Sequence, residues 1–157
     1  MKISTLASLV LLAAPLTAMA DEQIPATAFT DWEYSTNHGP ENVVDGDIDT
    51  YFETLKGQYT WVGLDLGEPH VISSIKIVKH GVCDLGVFQG ANSRDFLDAI
   101  PLTVINQRIS GTTEVTFDIS CSRGFRYIRY VGPAGQFCRM AEIKVEGTPG
   151  VGDDSKL

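Results

Sequence analysis

Short β-branched runs, broken every few residues by Gly, Pro, Asn, Asp and Ser, set the rhythm of this chain. Residues 59–66 (YTWVGLDL) alternate polar and apolar positions as a half-buried strand does, and Gly67-Glu68-Pro69 supplies turn chemistry after it. Residues 71–79 (VISSIKIVK) predict a separate strand, with Ile75 and Ile77 facing inward and Ser74 and Lys76 outward. Further strands are predicted over 87–90, 102–105, 114–119, 125–131 and 141–145. Residues 21–34 carry no clear period and read as an extended lead-in with one or two short strands. No stretch of a dozen residues carries the period of an amphipathic helix. Strands this short and this frequent predict an all-β antiparallel sandwich. Neither an internal repeat nor a linker divides the chain, and Thr148 to Leu157 reads as a disordered tail.

The first twenty residues stand apart from this pattern. Lys2 precedes an apolar run from Leu6 to Leu16, and Ala18-Met19-Ala20 is a small-x-small cleavage site, so residues 1–20 read as a secretory signal peptide. The apolar run is too short to span a bilayer, and no second one follows. The domain is expected over residues 21–147, in a secreted or periplasmic protein. Ser155-Lys156-Leu157 matches a peroxisomal address, but an exported chain never meets that receptor. Without the leader, 11 basic side chains face 20 acidic ones, a net charge of −9. Such a chain repels nucleic acid and anionic lipid, so neither is an expected partner.

Chemistry concentrates in residues 42–54 (NVVDGDIDTYFET), where three aspartates, an asparagine and two threonines lie close together. Oxygen donors that dense suit a hard cation such as Ca²⁺, which takes roughly 6–8 of them. The spacing is not that of an EF-hand. The same residues also suit a turn whose Asp and Asn side chains bond their own backbone. Three histidines, no Gly-x-Ser-x-Gly elbow and no phosphate loop give no catalytic constellation, and no enzyme is expected. Three cysteines allow one disulfide and one remaining thiol in an oxidising compartment, and they lack the close Cys/His pairs of a zinc site. If successive strands alternate direction, loops 80–86 and 132–138 share an end with the 42–58 loop. That predicts a Cys83–Cys138 disulfide, with Cys121 unpaired or buried.

Five segments occur in an order that points further: residues 42–47 (NVVDGD), 61–67 (WVGLDLG), 88–92 (FQGAN), 126–131 (RYIRYV) and 141–143 (AEI). Over roughly residues 28–147 the chain resembles the discoidin, or F5/8 type C, domains. It is similar too to the carbohydrate-binding modules and fucose lectins that share their galactose-binding-like jelly roll. The resemblance implies an eight-stranded antiparallel sandwich with one structural Ca²⁺ between the Asp-rich loop and the last strand. Carried over, the side-chain ligands are Asp45, Thr50 and Glu142, and the carbonyl ligands are Asn42, Asp47, Thr50 and Ala141. This accounts for Glu142, an acid in an apolar strand, where an ionised carboxylate needs a cation or hydrogen bonds. The alternative is a Glu142 that faces solvent.

The resemblance also implies a ligand site built by the loops at the calcium end. Sugar sites set an aromatic ring against the pyranose and converge a few polar groups on its hydroxyls. The residues of that type here are Trp32, Tyr34, His38, His80, Asp84, Gln136, Phe137 and Arg139. Each has a plainer role open to it: Trp32 in packing, His80 as a strand cap, Phe137 as a plug, Arg139 as partner of a surface acid. Around His80-Gly81-Val82-Cys83-Asp84-Leu85 there is no arginine of the kind fucose lectins use, which argues against fucose. The expected function is non-catalytic recognition of a glycan or glycoprotein. The alternative is a protein-interaction or adhesion module without sugar binding.

Overall fold

A computed structural model describes residues 21–55, 61–81, 85–106, 109, 112–135 and 139–150. Among the described residues nine strands carry the fold: β1 Glu22–Gln23, β2 Thr27–Phe29, β3 Phe52–Glu53, β4 Trp61–Lys79, β5 Gly86–Ala91, β6 Ile100–Ile105, β7 Glu114–Asp118, β8 Gly124–Val131 and β9 Arg139–Pro149. They form an antiparallel jelly roll with hydrogen-bonded order β1-β9-β4-β8-β5-β6, with β2 and β7 on β4 and β3 on β9. The core takes alternate residues from facing strands, among them Val62, Leu64, Ile75, Ile77, Phe88 and Ile128, all within 1% of full burial. Ile75 and Ile77 thus face inward as the period-2 pattern requires. Tyr130 is buried with them, and its hydroxyl donates to the Leu85 carbonyl at 2.9 Å, which meets the requirement that a buried phenol find a partner. Burial pushes that phenol well above its ordinary pKa.

Two expectations need correction. Residues 59–66 and 71–79 were expected as separate strands, but residues 61–79 form one strand with a bulge between Asp65 and His70. The turn chemistry is present and is used inside the strand. Gly67 adopts φ +79°, open to glycine at little cost, and its N–H donates to Asp65 Oδ1 at 2.8 Å. Before the bulge β4 pairs with β2 and β8; after it β8 still pairs with His70 and Val71, and β7 and β9 take the rest of the strand. Thr148 and Pro149, expected in the tail, continue β9 and pair with Val71 and His70. Residues 151–157, the rest of the expected tail, lie outside the described residues, as does the leader.

Arg126 spans the bulge with a bidentate bond to Asp65, Nε to Oδ1 at 2.9 Å and Nη2 to Oδ2 at 3.1 Å. That guanidinium holds the Asp65 carboxyl below its ordinary range against the opposing effect of burial. A depressed carboxyl pKa adds stability above the unfolded value and loses it as pH falls through the folded one. Arg126→Gln is therefore expected to raise the Asp65 pKa in an NMR titration. The stability gap between variant and wild type should be present at neutral pH and close in acid. A gap of constant size down to acid pH would contradict this.

Candidate functional site

Two constructions meet on the segment between Asn37 and Thr54. The first is the oxygen-rich loop. A 3-10 turn over Pro40–Val43 begins it, with Val43 fully buried as its anchor. Asn42 Nδ2 closes it by donating to the carbonyls of Asn37 (3.1 Å) and Tyr51 (3.0 Å). Asp45 Oδ1 accepts the Asp47 N–H and Asp47 Oδ1 accepts the Asp49 N–H, both at 2.9 Å, so the predicted Asx-type bonds are present. Gly46 takes φ +81°, which turns its N–H onto Glu142 Oε1 at 2.7 Å. Glu142 does not face solvent: it is 4% exposed, on β9 opposite Val78. Burial pushes its carboxyl above the ordinary range, the Gly46 N–H opposes that, and the neighbouring Asp45 carboxylate adds to it.

The donor chemistry can be tested against a hard cation. Thr50 Oγ1 lies 2.7 Å from Asp45 Oδ2 and 3.0 Å from the Asp47 carbonyl, and a hydroxyl has one proton for the two. The oxygens therefore hold more lone pairs than the donors among them can satisfy. Beside them the Asp45 carboxylate disfavours the charged form of Glu142. Among the described residues no three His, Cys, Asp or Glu side chains cluster as a metal site. The set is instead two carboxylates with a hydroxyl and a peptide oxygen, which suits a cation that accepts neutral oxygens. Glu142 and Gly46 line a cleft of about 410 Å³. Ala141, next to Glu142, is fully buried.

The second construction is an aromatic stack. His38 lies on one face of Tyr51, with centroids 4.0 Å apart and planes 14° apart, and His80 lies on Tyr51 at 4.3 Å and 17°. The Arg139 guanidinium carbon is 5.2 Å from the same ring, and Arg139 Nε donates to Glu53 Oε1 at 2.9 Å. The backbone fixes this arrangement: His80 N–H donates to the Arg139 carbonyl at 3.2 Å, and Glu53 N–H to the His38 carbonyl at 3.1 Å. Neither imidazole makes a ring hydrogen bond to a described residue, and both Nδ1 atoms are buried without a partner. Tyr34 pairs with Thr54 next to Glu53 and is 43% exposed; Trp32 is 40% exposed, with its backbone N–H on Thr30 Oγ1. His38, His80 and Arg139 are thus gathered around Tyr51, Tyr34 lies on the adjoining strip, and Trp32 makes no ring contact with the stack. Asp84, Gln136 and Phe137 fall outside the described residues, as do Cys83 and Cys138 and their expected disulfide. Cys121 is a free thiol.

The sequence matches no protein-family model and no curated protein. In three dimensions it is similar to CBM62 of Clostridium thermocellum Xyl5A, with 31% identity and a TM-score of 0.77 over 83% of this chain and 99% of that one. The chain belongs to this family of carbohydrate-binding modules. Two more distant structures share the fold. One is the fucolectin of striped bass (Morone saxatilis) serum, with 20% identity and a TM-score of 0.68 over 78% of this chain and 46% of that one. The other is the CBM32-5 module of Clostridium perfringens in complex with GalNAc-β-1,3-galactose, with 17% identity and a TM-score of 0.67 over 79% and 99%.

Within this CBM62-type module, Tyr51 and Glu53 are the site residues that the sequence did not single out. Tyr51 precedes the core residue Phe52, and an aromatic pair after a turn reads as packing. The signal that could have found it is alternation, because Phe52 buried on β3 sends its neighbours to the other face.

Proposed function

We propose that this carbohydrate-binding module holds a glycan, without catalysis, in the loops around the His38–Tyr51–His80 stack. A structural Ca²⁺ bound by the adjoining Asp45–Glu142 loop fixes those loops. The stack with its Arg139–Glu53 pair is the observation that carries the location. Both faces of Tyr51 are covered, so Tyr51 does not itself stack on a sugar; it spaces two imidazoles whose ring nitrogens have no hydrogen-bond partner among the described residues. Tyr34 supplies the exposed ring beside Glu53, and the imidazole Nε2 atoms, Glu53 and Arg139 supply donors and acceptors for hydroxyls. In the metal site the ligands are Asp45, Thr50 and Glu142 side chains with peptide oxygens of Asn42, Asp47, Thr50 and Ala141. The cation's role is to offset two facing carboxylates and hold the loop. The predicted leader places this binding outside the cytoplasm.

A glycan array probed with the calcium-loaded module tests the reading. Binding to a defined set of neutral glycans is expected, and galactose-containing structures are the first to inspect. A module with no neutral-glycan signal would give the site to a protein partner instead.

A further inference from the structure

Away from the Tyr51 stack, the outer surface formed by β8 and the 92–99 segment has an unusual electrostatic composition. Arg94, Arg123, Arg126 and Arg129 all lie there, in a chain whose acids outnumber its bases by eight. Two of them are neutralised: Arg126 by Asp65, and Arg123 by Asp98 at 3.6 Å. Among the described residues Arg94 and Arg129 form no ion pair. Instead each lies over an aromatic ring, Arg94 4.2 Å from the Phe29 centroid and Arg129 4.4 Å from the Phe96 centroid, and those two rings stack at 6.3 Å. The three contacts link both guanidiniums through one pair of rings. Arg129 Nε donates to Gln89 Oε1 at 2.7 Å, which fixes its plane and leaves the Nη groups without an acceptor among the described residues. Burial disfavours the charged form of Arg129, a cost that an anion from outside would offset. Phe96 is 6% exposed and held with φ +59° in a segment tied down by Asp98, which accepts from the N–H groups of Asn92 (2.9 Å) and Ser93 (3.0 Å) and from the Ser93 hydroxyl.

A stacked guanidinium with free forked donors is preorganised for a carboxylate or sulfate, because its rotamers are already restricted. We propose that this patch is a second binding site, for an anionic glycan, with Arg94 and Arg129 gripping its carboxylate or sulfate groups. The choice of a glycan rests on the family's carbohydrate binding, and the location is independent of the Tyr51 site. Asp31, Ser93 and Asp95 line a shallow cleft with Arg94, and Asp95 accepts the Leu97 N–H at 3.2 Å.

Affinity electrophoresis in gels containing hyaluronan (carboxylate) or dextran sulfate (sulfate), at about 0.15 M salt where the screening length is about 8 Å, tests this. At least one polymer is expected to retard the wild type, and which one does so identifies the anion. The double variant Arg94→Gln/Arg129→Gln is expected to bind at least about tenfold more weakly. Arg129→Lys, which keeps the charge without the fork, is expected to lose most of that binding. Arg94→Gln alone, at an exposed position, serves where Arg129 variants melt early. Neutral-glycan binding by all of them should match wild type, so the two sites fail or succeed separately. Retardation by neither polymer, or equal retardation of wild type and double variant, overturns the assignment.

Discussion

Excess chelator is expected to lower the melting temperature of the calcium-loaded module by about 10 °C, and Glu142→Ala or Glu142→Gln should abolish that response. A ligand present at a hundred times its Kd stabilises by about 2.7 kcal/mol, and each kcal/mol moves the midpoint of a domain this size by roughly 3–5 °C. The two variants separate the charge from the hydrogen bond. Alanine deletes the acceptor of the Gly46 N–H and is expected to lower the metal-free baseline by about 1–3 kcal/mol. Glutamine keeps an acceptor there while removing a carboxylate that both burial and Asp45 disfavour. In chelator, Glu142→Gln should therefore melt no lower than wild type. If wild type melts at the same temperature with and without chelator, the Asp45 loop is held by its Asx bonds alone and the metal assignment is wrong.

Tyr51→Ala should weaken neutral-glycan binding by about ten- to a hundredfold while Tyr51→Phe leaves it nearly unchanged. The ring makes two parallel stacks and one cation–π contact, each worth about 0.5–1.5 kcal/mol. Deleting it lets His38, His80 and Arg139 relax into the vacated space, and a displacement of that kind degrades several hydrogen bonds to one ligand together. The Tyr51 hydroxyl bonds to nothing described, so phenylalanine preserves what matters. Calorimetric titration of the three proteins with one array-positive glycan reads the difference, and a shallow drop in Phe alongside a large drop in Ala is the diagnostic pattern. Equal affinity of Ala and wild type would remove the stack from the site.

The strand pattern was legible because alternation and turn residues act locally: β5, β6, β7 and β8 fall within a few residues of where period-2 patterning puts them. What failed was the inference from turn chemistry to a chain break. Gly67 and Asp65 form a real Asx turn, but β8 supplies partners on both sides of it, and pairing with a neighbouring strand is a tertiary fact. The end of β9 was missed for the same reason, since Thr148 and Pro149 look like tail until Val71 is placed beside them. Glu142 was legible as an acid out of character with its strand. The arginine patch was not, because its four members come from two separated segments and only the fold shows which two lie over the Phe29 and Phe96 rings and which two pair with an acid.

The most direct test of glycan binding at the calcium end is an NMR titration of the ¹⁵N-labelled, calcium-loaded module with the strongest neutral array ligand. The account predicts shift changes concentrated on Tyr34, His38, Tyr51, Glu53, His80 and Arg139, with β8 and the 92–99 segment silent. Changes centred on β8, or spread over the β4–β9 face with the Tyr51 loop unmoved, would contradict it.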